Sequence, residues 1–196
     1  MVEISSLSHR TLLAAPSILS LAAGAACAEP GNAPSRAQSR TLVAYVTRSG
    51  NTRVIAGALQ RALAADLFEI QTARPYPADY EEHVAQAQRE RDQGYEPALA
   101  KGGPDIAAYE TIFLGFPIWG ETTPPPIRSF LKPHNLRDKT IRPFITHGGY
   151  GIGNSLSILA HHAPGALIAP PFVMEADQER RTLNEIKGWL AVIERS

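Results

Sequence analysis

At 196 residues the chain is long enough for one domain of ordinary size with a continuous core, and its 44% hydrophobic and 19% charged content is that of a folded globular protein. Lys+Arg and Asp+Glu both number 19, so no net field points to nucleic acid or to an anionic membrane surface. The single cysteine, Cys27, excludes an internal disulfide and any zinc or iron–sulfur site built from cysteines.

The N-terminal stretch differs from the rest. His9, Arg10 and Thr11 lead into Leu12 to Ala26, an uncharged run rich in Leu and Ala that closes on Ala26-Cys27-Ala28. A cationic start, an apolar run too short for a comfortable membrane span and a small-x-small exit describe a secretory signal. Pro16 early in the run, and the lack of a polar face at helical spacing, argue against an ordinary amphipathic helix. We therefore expect residues 1–28 to be a signal peptide and the mature protein to be exported to the periplasm with no transmembrane segment. Gly24-Ala25-Ala26-Cys27 also resembles a lipoprotein processing site, which would anchor the chain through Cys27, and Ser8-His9-Arg10-Thr11-Leu12-Leu13 resembles a twin-arginine signal with one arginine replaced by histidine. Residues 29–40, polar with Pro30, Gly31 and Pro34, read as a linker.

From residue 41 the pattern becomes that of a folded domain, 41–196. Thr41 to Val46 is a short β-branched apolar run, hence a buried strand. Val54, Ile55, Ala58, Leu59, Ala62 and Leu63 recur at helical spacing, and Leu67 to Ile70 is a second strand. Ala78 to Gln93 favours helix, Thr111 to Phe116 is a third strand, and Pro124-Pro125-Pro126 opens a helix whose buried side is Ile127, Phe130 and Leu131. Thr140 to Thr146 reads as a fourth strand broken at Pro143. Gly153 to His162 reads as a helix, Ala166 to Ile168 as a fifth strand and Asp177 to Ile193 as a closing helix. Strict alternation predicts an open, mostly parallel α/β sheet with helices on both faces. Ligands of such sheets bind beyond the carboxyl ends of the strands, where strand order reverses.

Three loops at those ends carry the chemistry. After the first strand come Thr47, Arg48, Ser49, Gly50, Asn51 and Thr52. Hydroxyls and a glycine at a strand-to-helix turn can wrap a phosphate with N–H and O–H donors, aided by the helix N-terminus. Plain capping by Asn51 or Thr52 would not require so many small polar residues ahead of the cap. The loop lacks the Gly-Lys-Thr ending of a P-loop and the spaced glycines of dinucleotide sites. After the third strand, Pro117, Ile118, Trp119 and Gly120 offer an aromatic face for a flat ring, or else a core tryptophan. After the fourth, Thr146, His147, Gly148, Gly149 and Tyr150 let backbone N–H groups approach a ring edge, with His147 either a contact or a loop-holding residue.

The run Ala44-Tyr45-Val46-Thr47-Arg48-Ser49-Gly50-Asn51-Thr52 resembles the FMN phosphate loop of flavodoxins, Thr/Ser-x-Thr-Gly-Asn-Thr, with Ser49 in place of a threonine. Gly115 to Thr123 resembles the ring-stacking segment of a short-chain branch of that family, in which many members carry a second tryptophan where Gly120 stands. Thr146-His147-Gly148-Gly149 matches its Thr-His-Gly-Gly segment, and Pro75 to Tyr80 and Asp105 to Thr111 fit as well. The likeness spans about 41–193. It implies a doubly wound five-stranded parallel sheet of order 2-1-3-4-5, with FMN as cofactor, its phosphate in the first loop, its ring against Trp119 and Tyr150, and no catalytic residue or metal. Tyr76 and Tyr80 are read as packing residues, and His161-His162 as a solvated helix end lacking a metal partner at ligand spacing.

The function this implies is electron transfer through FMN to a redox partner protein or a small-molecule acceptor. The alternative is an FMN-dependent NAD(P)H:quinone-type reductase, for which no nicotinamide site is visible and for which an exported protein would meet little soluble donor. A third is a flavin-binding module without a redox partner, for which ring-facing aromatics are superfluous. Low-potential flavodoxins commonly surround FMN with carboxylates. Here Glu121 is the one acid in the three loops and Arg48 lies in the first, which implies a less negative potential.

Overall fold

The computed structural model describes residues 41–175, 179–193 and 195. The signal peptide and linker expected over 1–40 lie outside the described residues. Among the described residues, six strands and five α-helices follow one another. They are β1 (Thr41–Tyr45), α1 (Asn51–Leu63), β2 (Asp66–Glu69), α2 (Tyr80–Asp92), β3 (Thr111–Pro117), α3 (Pro125–Leu131), β4 (Thr140–His147), α4 (Ser155–His162), β5 (Leu167–Ile168), β6 (Phe172–Glu175) and α5 (Glu179–Ile193).

The sheet is parallel throughout, in the order β2-β1-β3-β4-β5, with β6 also on β4. Side chains of successive strand residues point to opposite faces, and both faces are covered. Leu42, Ala44, Ile112, Leu114, Ile141 and Ile145 form one core with Ile127, Phe130 and Leu131 of α3 and Leu159 of α4. Val43, Tyr45, Phe113 and Phe144 form the other with Ile55 and Leu59 of α1 and Ile186 and Leu190 of α5. The first loop of the expected site begins where β1 stops, and the other two where β3 and β4 stop.

The expected strand order is the observed one, and two details differ. The fourth strand is not broken at Pro143: β4 runs through it, with Leu114 opposite Pro143 on β3. The reason lies in the alternation of hydrogen bonds. Ile141 accepts the Ala169 N–H on the far side, so odd-numbered residues of β4 face the fifth strand position and the missing N–H of Pro143 points there. That position is itself interrupted. β5 pairs only with Thr140 and Ile141, β6 takes up pairing at Phe144, and Pro170-Pro171 lie between. The edge strand expected as Ala166 to Ile168 is thus two short pieces sharing one lane.

Candidate functional site

The first loop ends in Gly50, the N-cap of α1, at φ 99°, and its N–H donates to Thr47 Oγ1 at 3.1 Å. A left-handed residue turns the chain sharply enough to bring N–H groups together at the helix mouth. No side chain caps α1 and its first turn holds no acid, so this end of the helix is left to an anion by both geometry and charge. The donor set therefore fits a phosphate monoester. Arg48 is exposed. Its guanidinium lies 5.0 Å over the Tyr80 ring and reaches the Ala78 carbonyl at 3.5 Å.

Thr52 and Thr146 are buried, and their hydroxyls bond each other at 3.0 Å. The pair ties the first loop to the third across 94 residues of sequence. Replacing Thr52 thus removes a link between the two loops. The second and third loops are joined by the Ile118 N–H donating to the Thr146 carbonyl at 2.8 Å. Within the third loop His147 takes the loop-holding part. Its Nδ1 accepts the N–H groups of Gly149 at 3.1 Å and Gly151 at 3.4 Å, which leaves the Gly149 N–H engaged. Tyr150 stands almost free, 85% exposed, at the rim.

The segment after β3 makes a tight turn in which Gly120 (φ 60°) and Glu121 (φ 62°) are both left-handed, closed by the Trp119 N–H on the Thr122 carbonyl at 3.2 Å. A glutamate in that region stores strain, and such strain persists only where the surroundings impose it. The Asn154 N–H holds the Glu121 carbonyl at 3.1 Å from the start of α4. Trp119 is half-buried and fixed by two edge-on rings, Tyr76 at 4.9 Å and His83 at 4.3 Å between centroids. Tyr76 in turn donates a short hydrogen bond to the buried Glu90. Burial and that carboxylate push the Tyr76 phenol well above its ordinary range. Tyr76 is therefore the packing residue expected, while Tyr80 is largely exposed at the mouth.

Three adjoining cavities run along this end of the sheet. One of about 560 Å³ is lined by Thr47, Arg48, Tyr76, His83 and Trp119. It shares Arg48, His83 and Trp119 with a smaller one of about 200 Å³. That in turn shares Ile118, Gly120, Tyr80, Val84 and Arg91 with a third of about 550 Å³, which Glu121, His147, Gly148 and Tyr150 complete. Together they form a continuous trough from the phosphate loop to the third loop, of a size suited to a flat cofactor. Pro117, Ser49, Gly50, Asn51 and Gly149 belong to the same three loops but do not line these cavities.

Sequence reasoning missed the far wall, which is α2. His83, Ala87 and Glu90 are its buried side, and Tyr80, Val84 and Arg91 the side facing the trough. A buried stripe containing histidine and glutamate gives no hydrophobic periodicity, and the helical 83-87-90 spacing was the only available signal. The expectation for His161-His162 changes too. His162 is partly buried 3.9 Å from Glu96 and is no freely solvated residue.

Burial holds the imidazoles of His83, His134 and His162 below their ordinary range, with Arg48 adding to the effect at His83 and Arg128 at His162. The unfolded chain takes up these protons near pH 6.5 while the folded chain resists them, so the unfolded state binds more protons just below that pH. Stability is expected to fall as pH drops from 7 towards 5, read by urea unfolding, with a shallower slope in His83→Gln. An unchanged midpoint over that interval would refute it.

Residues 40–193 match the Flavodoxin family model. No functionally curated protein matches the chain. Among solved structures, a protein designated a flavoprotein from Bacteroides eggerthii is 32% identical, with a TM-score of 0.67 over 79% of this chain and 97% of that one. A second, from Bacteroides uniformis, is 30% identical with a TM-score of 0.66 over 75% and 97% of the two chains. A flavoprotein from Lactobacillus acidophilus, solved in complex with FMN, shares the fold at 23% identity and a TM-score of 0.59, over 74% of this chain and 97% of its own. With a family match over nearly the whole described domain, and the phosphate-loop geometry and 2-1-3-4-5 sheet to accompany it, this chain belongs to the flavodoxin family.

Proposed function

We propose that this protein is an exported electron carrier that holds FMN in the trough between its three loops and α2. The cofactor reading is carried by one observation above the rest: the N-terminus of α1, uncapped by any side chain and without an acid in its first turn, opens at the Thr47–Thr52 loop of a flavodoxin-family chain. A single phosphate suits that compact mouth better than a pyrophosphate does. FMN supplies one- and two-electron chemistry at its ring, and this chain's residues bind it, orient it and control access to it. Gly50 and its neighbours face the phosphate, Trp119 offers a face to the ring, and Tyr150 at the rim is free to close over it.

Electron transfer is favoured over a reductase activity because a redox partner is what the flavodoxin family implies. No described helix is long and apolar enough to cross a membrane. The export reading rests on residues 1–28, and delivery to the periplasm would place the carrier among periplasmic redox partners.

The test is to purify the protein from the periplasmic fraction of its natural host. The expected product is yellow, releases FMN and not FAD on denaturation, and lacks residues 1–28 by intact mass, with a lipid on Cys27 marking the anchored form. It should be reduced by dithionite and only negligibly by NADPH. Colourless protein that gains no absorbance on FMN titration would sink the cofactor reading. An intact Met1 would remove export, and fast saturable bleaching by NADPH would promote the reductase.

A further inference from the structure

We propose that Arg91, seated on the bare Cα of Gly120, is the residue that supplies positive charge to the flavin ring and so raises its reduction potential. This rests on the reading that FMN binds with its ring between the second and third loops.

Arg91 lies 28 residues from Trp119 in sequence, near the end of α2. Its Nη1 donates to the carbonyls of both Trp119 and Gly120, each at 3.3 Å. Two backbone acceptors on one turn fix the guanidinium far better than solvent would, and the side chain is only 27% exposed. It lines both the small cavity beside Trp119 and the larger one bounded by Gly120, His147 and Tyr150. The seat exists because position 120 has no side chain. A Cβ built there falls directly on Arg91 Nη1, so any other residue would evict the guanidinium, whose flexible end can yield.

The charges around it are of both signs, and the neighbouring Glu90 is taken up by hydrogen bonds from Tyr76 and Gln86. Asp92 reaches Arg91 Nε at 3.6 Å but is itself 61% exposed, hence well screened. Glu121 is exposed on the same turn. Arg128 on α3 is buried and near enough that Arg91 disfavours its charge, second to burial itself. Uptake of two electrons and one proton leaves the flavin ring with one net negative charge. A fixed guanidinium in the wall of the same trough attracts that charge and leaves the neutral oxidised ring nearly unaffected. The effect is therefore differential between redox states, which is what moves a potential.

The experiment is a dithionite titration of the FMN-loaded full chain under anaerobic conditions, with FMN affinity measured in parallel, for the wild type, Arg91→Gln, Arg91→Lys and Gly120→Ala. In Arg91→Gln the reduced form is expected to bind about tenfold more weakly relative to the oxidised form, equal to a shift of about 30 mV to more negative two-electron potential. Gly120→Ala should shift the same way by evicting the guanidinium, and Arg91→Lys should stay near the wild-type potential. An Arg91→Gln protein that binds FMN at the wild-type potential overturns the proposal, as does an equal loss of affinity in both redox states, which would make Arg91 a brace for the turn. A wild-type protein that takes up no FMN would overturn the FMN reading and this inference with it, so the two failures are distinguishable.

Discussion

Gly153→Ala is expected to lower stability by about 2–5 kcal/mol and to weaken FMN binding at least tenfold. Gly153 sits at φ 51°, where alanine costs about 1–2 kcal/mol in backbone strain. Its missing Cβ matters as well, because a methyl group there would fall on the Glu121 carbonyl oxygen, a backbone atom with little freedom to retreat. Forcing such an overlap costs about 1–3 kcal/mol. The displaced carbonyl is the one held by the Asn154 N–H, and it belongs to the left-handed turn that carries Trp119 and Gly120. The damage therefore passes from the turn ahead of α4 into the turn that carries Trp119. Gly151→Ala is the control. That residue has a similar φ of 75° but open space where the methyl group would go, so only the strain cost should appear. Urea unfolding and FMN titration of both variants check this, and equal losses in the two would show that the Glu121 contact is immaterial.

Trp119→Ala should raise the fluorescence of bound FMN several-fold while costing about 2 kcal/mol of stability, less than a fully buried tryptophan because the ring is half-exposed. Tyr76 and His83 lock the indole edge-on from one side, so it would meet a flavin in a fixed orientation and with little ordering entropy to lose on binding. Removing it should leave the phosphate loop in place, since that loop is held by the Gly50–Thr47 and Thr52–Thr146 hydrogen bonds, neither of which involves Trp119. Affinity for inorganic phosphate should accordingly stay at the wild-type value, and Trp119→Phe should retain part of the quenching. If FMN bound to the wild type is already as bright as free FMN, the indole does not stack on it.

The strands that carry the three loops were legible because β1, β3 and β4 are central and buried on both faces, so β1 and β3 are written as apolar runs and β4 as one interrupted at Arg142 and Pro143. β6 was not. Phe172-Val173-Met174-Glu175 follows Pro170-Pro171, which signals a loop, and it is too short to show a period of its own. The candidate loops could be picked out from the sequence, whereas the α2 wall of the trough could not. Thr47 to Thr52 and Thr146 to Tyr150 stand at strand ends, where chemistry is expected from position alone. The Thr52–Thr146 bond and the Arg91–Gly120 seat join residues 94 and 29 positions apart, and no local pattern encodes such a meeting. Gly120 could be seen only as a departure from its relatives. Its use becomes clear once Arg91 is found resting on it.

The split fifth strand has a consequence for how this protein behaves when many copies are crowded together. A sheet ending in a long straight strand offers a row of free N–H and C=O groups on which another chain can build, the first step towards fibrils. Here the outer lane, among the described residues, is two stubs of two and four residues separated by a pair of prolines. Neither stub is long enough to template a partner, and the prolines between them have no N–H to offer. This margin of the sheet is thereby guarded, and the exposed Glu175 at its end adds a charge to the same effect.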